Sequence, residues 1–122
     1  MFIEISLFSF SFLIIFEYWN NIAPVALCDA KKPNGEPLVK GLTMTAFTNV
    51  EEEQVQLANI VPFIPEGKAI ELGATFVKND PWQPKACVDG NVITGQNPQS
   101  SEAAAELLIE ALSSSSCFCV VS

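Results

Sequence analysis

Apolar and polar positions in this chain follow two periods, and the change from one to the other is sharpest after residue 85. Ala86-Cys87-Val88 and Val92-Ile93-Thr94 are β-rich and flank Asp89-Gly90, with Asn91 after it. Asp-Gly readily takes the positive φ angles of a tight turn, so a hairpin is predicted. Beyond Gly95 the pattern turns helical. Asn97 can cap a helix whose first position is Pro98, where the missing amide costs nothing, and whose body runs from Glu102 to Leu112.

The same reading extends upstream. Thr43 to Phe47 is a short β-rich run, and Thr48-Asn49 opens a helix from Val50 to Leu57. With Asn49 as N-cap, Glu52 is the N3 residue of a capping box, and Glu51, Glu52 and Glu53 all sit at the positive end of the helix dipole. Pro65 suits the first turn of a second helix over Glu66 to Leu72, and Gly73 suits its C′ position. Ala74 to Lys78 reads as a strand, followed by a rigid aromatic loop from Asn79 to Pro84. There Trp82 either lines a small-molecule cleft or anchors its own loop. Lys31 to Gly41 is a loop with a turn at Asn34-Gly35. Between Glu4 and Glu17 lie twelve uncharged residues. They are too few to span a bilayer as a helix and lack the basic flank of a signal peptide. The alternation from Phe8 to Phe12 has the period of a strand.

Composition narrows the picture. At 122 residues one small domain fits, and a full parallel sheet covered by helices on both faces is not expected. A net charge of −8 with only six Lys and Arg argues against nucleic acid as a partner and against attraction to anionic lipid. Cys28, Cys87, Cys117 and Cys119 are unevenly spaced, so reduced thiols in a cytoplasmic setting are expected rather than a disulfide framework. The chain contains no histidine. Cys-His dyads, Ser-His-Asp triads and His-containing zinc sites are therefore impossible within it, and the paired C-x-x-C of an all-Cys zinc site is missing as well.

Three words in register carry a family resemblance: K-K-P-N-G-E-P-L-V-K-G from Lys31, G-L-T-M-T-A-F-T-N-V-E-E-E from Gly41 and V-D-G-N-V-I-T-G-Q-N-P-Q-S-S from Val88. In this order and spacing they resemble the ThiJ/PfpI superfamily, and more narrowly its glutamine-amidotransferase-like branch of glyoxalase III and stress chaperone proteins. The resemblance covers 24–112 and corresponds to the second half of that domain. It implies an α/β fold: a partial flavodoxin-like (class I glutamine amidotransferase-like) sandwich with an incomplete sheet. Residues 1–23 are then an apolar segment outside the family pattern, and 113–122 a Ser/Cys-rich tail.

In the family a sharp turn bearing Cys-His-Gly-Pro leads into a helix. Pro24 to Ala30 resembles that helix, which places Asn21 and Ile22 at the positions of the nucleophilic Cys and its His. Glu52 falls at the position of the triad acid. Intact relatives convert methylglyoxal to lactate without an added cofactor, a hydro-lyase type of chemistry on a small aldehyde. This chain keeps one of the three groups. Cys28, further along the helix, reads as a small apolar residue packed beneath it.

Two readings of other kinds stand beside a truncated enzyme. One is a non-catalytic chaperone-like or interaction module, open to self-association through uncovered apolar surface. The other is a lipidated peripheral membrane protein, because the last four residues, C-V-V-S, fit a prenylation box at Cys119, with Cys117 as a second acylation candidate.

Overall fold

The computed structural model describes residues 13–15, 22–56, 58–60 and 62–114. The chain runs β1 (Leu13–Ile15), α1 (Ile22–Asp29), β2 (Thr43–Met44), α2 (Asn49–Gln54), α3 (Pro65–Glu71), β3 (Thr75–Phe76), β4 (Ala86–Asp89), β5 (Val92–Gly95), a 3-10 turn (Pro98–Ser100) and α4 (Ser101–Ser114). The strands form two small sheets. In one, β5 lies between β1, parallel to it, and β4, antiparallel; in the other, β2 and β3 pair in parallel. The result is a mixed α/β fold with an incomplete sheet.

The predicted hairpin is present with its turn displaced by one residue. Asp89 pairs with Val92, leaving Gly90-Asn91 as the loop. Gly90 alone of the two takes positive φ, +55°, the pattern of a II′ hairpin, which wants glycine at the first loop position. Asp89 therefore belongs to the strand, and its carboxylate accepts from the Thr43 amide at 2.7 Å.

That bond is half of the joint between the sheets. On the face of the hairpin that carries Cys87 and Thr94, Thr94 Oγ1 accepts from the Thr45 amide at 3.0 Å. Amides on one edge of β2 thus end on side chains instead of a strand, while the other edge pairs with β3. The longer strands predicted over Thr43–Phe47 and Ala74–Lys78 shrink to two residues each because the chain on either side is drawn into loops.

Successive residues of β5 point to opposite cores, as the period of a strand requires. Val92 packs against the cluster of Leu27, Cys28, Val39, Met44 and Ala69, which joins α1, β2 and α3. Ile93, fully buried, packs with Ala104, Ala86, Leu107 and Leu108 beneath α4. Helices consequently cover both sides of the hairpin. α3 begins at Pro65 and ends before Gly73, which takes φ +93° at the predicted C′ position. Asn97 precedes Pro98 as predicted, with one tight 3-10 turn between the cap and α4.

The stretch from Phe8 to Phe12, Asn21, and Cys117 and Cys119 lie outside the described residues. Among the described residues no helix is long and apolar enough to cross a membrane.

Candidate functional site

α2 starts one residue earlier than the sequence reading places it, and this changes what its glutamates do. Thr48, not Asn49, is the N-cap: it is extended (φ −79°, ψ 161°), and its hydroxyl accepts from the Glu51 amide at 3.2 Å. Glu51, not Glu52, closes the capping box by accepting from the Thr48 amide at 3.0 Å. The tertiary surroundings decide the frame. Thr48 is buried, and the Asn49 amide is claimed by the carboxylate of Glu66 at 2.6 Å. Glu66 is in turn ion-paired with Lys78.

Glu51 is a hub. Besides Thr48, its carboxylate accepts from the Trp82 amide (2.8 Å), Asn97 Nδ2 (2.8 Å) and Gln96 Nε2 (3.2 Å). The two amide side chains extend the network. Gln96 Oε1 accepts from the Asn79 amide at 2.9 Å, and Asn97 Nδ2 donates also to the Gln83 carbonyl at 2.9 Å. One carboxylate thus ties the start of α2, the Asn79–Gln83 loop and the junction after β5. Burial pushes the Glu51 carboxyl up, but the donors from Asn97, Thr48 and Trp82 outweigh it and hold its pKa below the ordinary value.

Glu52 is equally buried and has none of this. At 0% exposure, neither carboxylate oxygen has a hydrogen-bond partner among the described residues. Burial, and then the charge of neighbouring Glu51, push its pKa up from 4.5 to about 7. An orphaned buried carboxylate is costly. Its carboxyl therefore changes protonation near neutrality.

Trp82 borders this network. Its backbone takes φ +64°, a left-handed conformation that costs a non-glycine residue about 1–2 kcal/mol. Three contacts hold it there: its amide on Glu51, its indole N–H on Gln54 Oε1 at 2.5 Å, and its ring edge-on to Phe47 with centroids 5.6 Å apart. The anchoring role considered for Trp82 is thereby present.

Of the other candidates, Ile22 is the first residue of α1. Cys28 is buried in the α1–α3 core, and burial pushes its thiol up to about 11, so it stays protonated. Cys87 is half-buried with its pKa also raised, chiefly by burial, and its Sγ lies 3.2 Å from Thr94 Oγ1. Among the described residues no group of His, Cys, Asp and Glu could hold a metal ion.

The residue that sequence reasoning missed is Glu51. Its signal was present, since Thr48-x-x-Glu51 is a capping box word. It overlaps an equally good Asn49-x-x-Glu52, and nothing local chooses between the two.

No protein-family model matches the chain. Among curated proteins, a glyoxalase 3 of Candida albicans is 33% identical over 85 residues, covering 63% of this chain and 35% of the relative. The glutathione-independent glyoxalase HSP31 of Saccharomyces cerevisiae is 33% identical over 86 residues, covering 66% and 36%. Among solved structures, the Francisella tularensis Rapid Encystment Protein 24 KDa superposes with a TM-score of 0.69 at 34% identity, covering 74% of this chain and 40% of that one. Glyoxalase III of Candida albicans gives 0.63 at 31% identity, covering 73% and 40%. The chain spans roughly two fifths of the length of these relatives. Agreement in sequence and in fold over this portion establishes that the chain belongs to the ThiJ/PfpI superfamily.

Proposed function

We propose that this chain carries the acid position of a glyoxalase III-like site, Glu52, without the nucleophile and imidazole that the chemistry needs, and that it does not turn over methylglyoxal by itself. The observation that supports this reading is the carboxylate of Glu52, fully buried and without a donor among the described residues, in a chain that has no histidine. A triad acid stabilises and orients an imidazolium. Removing the imidazole leaves a buried acid with nothing to orient.

The reaction requires a thiolate to attack the aldehyde carbon and a positioned base to move protons. Asn21 and Ile22 stand at those positions by resemblance and can do neither. The remaining described thiols are poor substitutes, because burial holds both Cys28 and Cys87 in the protonated form.

The test is lactate formation from methylglyoxal by the purified chain, by the Asn21→Cys/Ile22→His double variant, and by alkylated controls of each. No turnover above the control is expected from the unaltered chain. Turnover that iodoacetamide abolishes would overturn the proposal by showing that one of its own cysteines is competent. The double variant is also expected to be inactive, because misplacing catalytic groups by about 1 Å can cost on the order of a hundredfold in rate.

A further inference from the structure

Two adjacent glutamates in α2 are equally buried and oppositely served. Glu51 accepts from the amides of Thr48 and Trp82, the Thr48 hydroxyl and the side chains of Gln96 and Asn97. Glu52 accepts from nothing among the described residues. The charged groups around α2 offer Glu52 no relief. On the helix itself these are Glu51 and Glu53; on α3, which packs against α2, Glu66 is paired with Lys78 and Lys68 with Glu71. Among the described residues no cation lowers the Glu52 pKa; the charge that acts on it is that of Glu51, which raises it.

The helix that holds Glu52 is short, and its far end is held by the Trp82 indole N–H on Gln54 Oε1 and by the Val55 amide on the Glu51 carbonyl. α2 is six residues long. Its first turn is fixed by Glu51 and Glu66, but after Val55 the chain passes through Gln56 at φ +60° to exposed Asn59 and Ile60. A helix this short, bordered by exposed residues and held beyond its first turn by few bonds, can open locally without unfolding the domain.

We propose that the α2 turn is a proton-controlled element: with Glu52 protonated it stays packed, and when Glu52 ionises the turn opens and delivers the carboxylate to water, while Glu51 keeps the N-terminal cap and the Asn79–Gln83 loop in place. A buried, donorless carboxylate beside a second carboxylate is stable only when neutral, so opening and proton loss are linked. The direction of the titration agrees, since burial and then Glu51 raise Glu52 from 4.5 to about 7. Opening therefore becomes easier as pH rises from 4.5 towards 7, by about tenfold per pH unit at most, and levels off above that. This inference rests on burial and donors, and it stands whether or not Glu52 descends from a catalytic acid.

The experiment is hydrogen exchange of the full chain between pH 5 and 8, corrected for intrinsic base catalysis, comparing wild type with Glu52→Gln. Protection of the Glu52 to Val55 amides is expected to fall at least tenfold between pH 5 and 7 in wild type and to be flat in Glu52→Gln. The amides of α4 from Ala104 to Leu108 should be unchanged in both. A flat wild-type profile overturns the proposal. So does an equal fall in Glu52→Gln, or an equal fall in α4, which would make the event global. Because wild type carries both the pH profile and the α4 reference, a poorly folding variant would leave the test decisive.

Discussion

Replacing Glu51 by Gln should be far more damaging than the same change one residue later. Glu51 Oε1 receives the Trp82 amide and Asn97 Nδ2, and Oε2 receives the Thr48 amide and hydroxyl. A glutamine amide has one acceptor oxygen and one donor nitrogen, so whichever way it is turned, one pair of donors meets an N–H group. A buried donor left unsatisfied costs about 1–3 kcal/mol, and hydrogen bonds to a charged acceptor are at the upper end. Turned towards Thr48, whose hydroxyl can rotate to accept from it, the new NH2 group leaves the Thr48 amide unsatisfied, which with the strain already held at Trp82 gives an expected loss of roughly 2–3 kcal/mol, a large part of the 5–15 kcal/mol typical of a domain.

Urea unfolding followed by far-ultraviolet circular dichroism at pH 7 would measure this. The pH dependence supplies a signature. Because folding lowers the Glu51 pKa, its contribution is present above the ordinary value of 4.5 and is lost as pH falls through the lower folded value. The wild-type and Glu51→Gln curves should therefore converge in acid. A loss below about 1 kcal/mol at pH 7, or a gap that persists unchanged at pH 3, would refute the hub argument.

Other consequences can be checked alongside. Glu52→Gln should stabilise the chain at pH 8 by on the order of 2–3 kcal/mol and have little effect at pH 4; the folded pKa of about 7 means the native state favours the protonated form, so stability is lost as pH rises through that value. A stability penalty at pH 8 would contradict this. Gln56→Gly should raise the melting temperature, because Gln56 is exposed and sits at φ +60°, where glycine relieves about 1 kcal/mol of strain; a lower melting temperature would refute it. Gly67→Ala should add about 0.5–1 kcal/mol, since Gly67 lies inside α3 and a Cβ there meets nothing within 4 Å, whereas Gly90→Ala at φ +55° should destabilise the hairpin. Opposite signs for the two glycines in one thermal assay are the expected result. Iodoacetamide at pH 7.5 should modify Cys28 about a hundredfold more slowly than an unstructured thiol, because burial raises it to about 11; peptide mapping that finds Cys28 among the fastest sites would contradict that.

The features legible in the sequence were those set by a few consecutive residues. A glycine that must take positive φ announces a turn wherever it sits, so Asn34-Gly35, Gly73 and the Gly90 hairpin could be read without knowing what they pack against. Pro98 after Asn97 fixed a helix start for the same reason, because proline's φ and missing amide are properties of the residue itself. The absence of histidine, visible at once, bounded the chemistry.

What tertiary structure decided were choices between locally equivalent options. Thr48-x-x-Glu51 and Asn49-x-x-Glu52 are both good caps; the first is realised because Thr48 is buried and Glu66, 17 residues away, takes the Asn49 amide. The donors that make Glu51 a hub arrive from Trp82, 31 residues on, and Asn97, 46 residues on. Nothing in the three consecutive glutamates distinguishes them. Folding gives Glu51 its donors, leaves Glu52 buried without any among the described residues, and turns Glu53 to solvent. The protonation state of a carboxylate depends on such surroundings, and they are assembled by parts of the chain that the local sequence does not see.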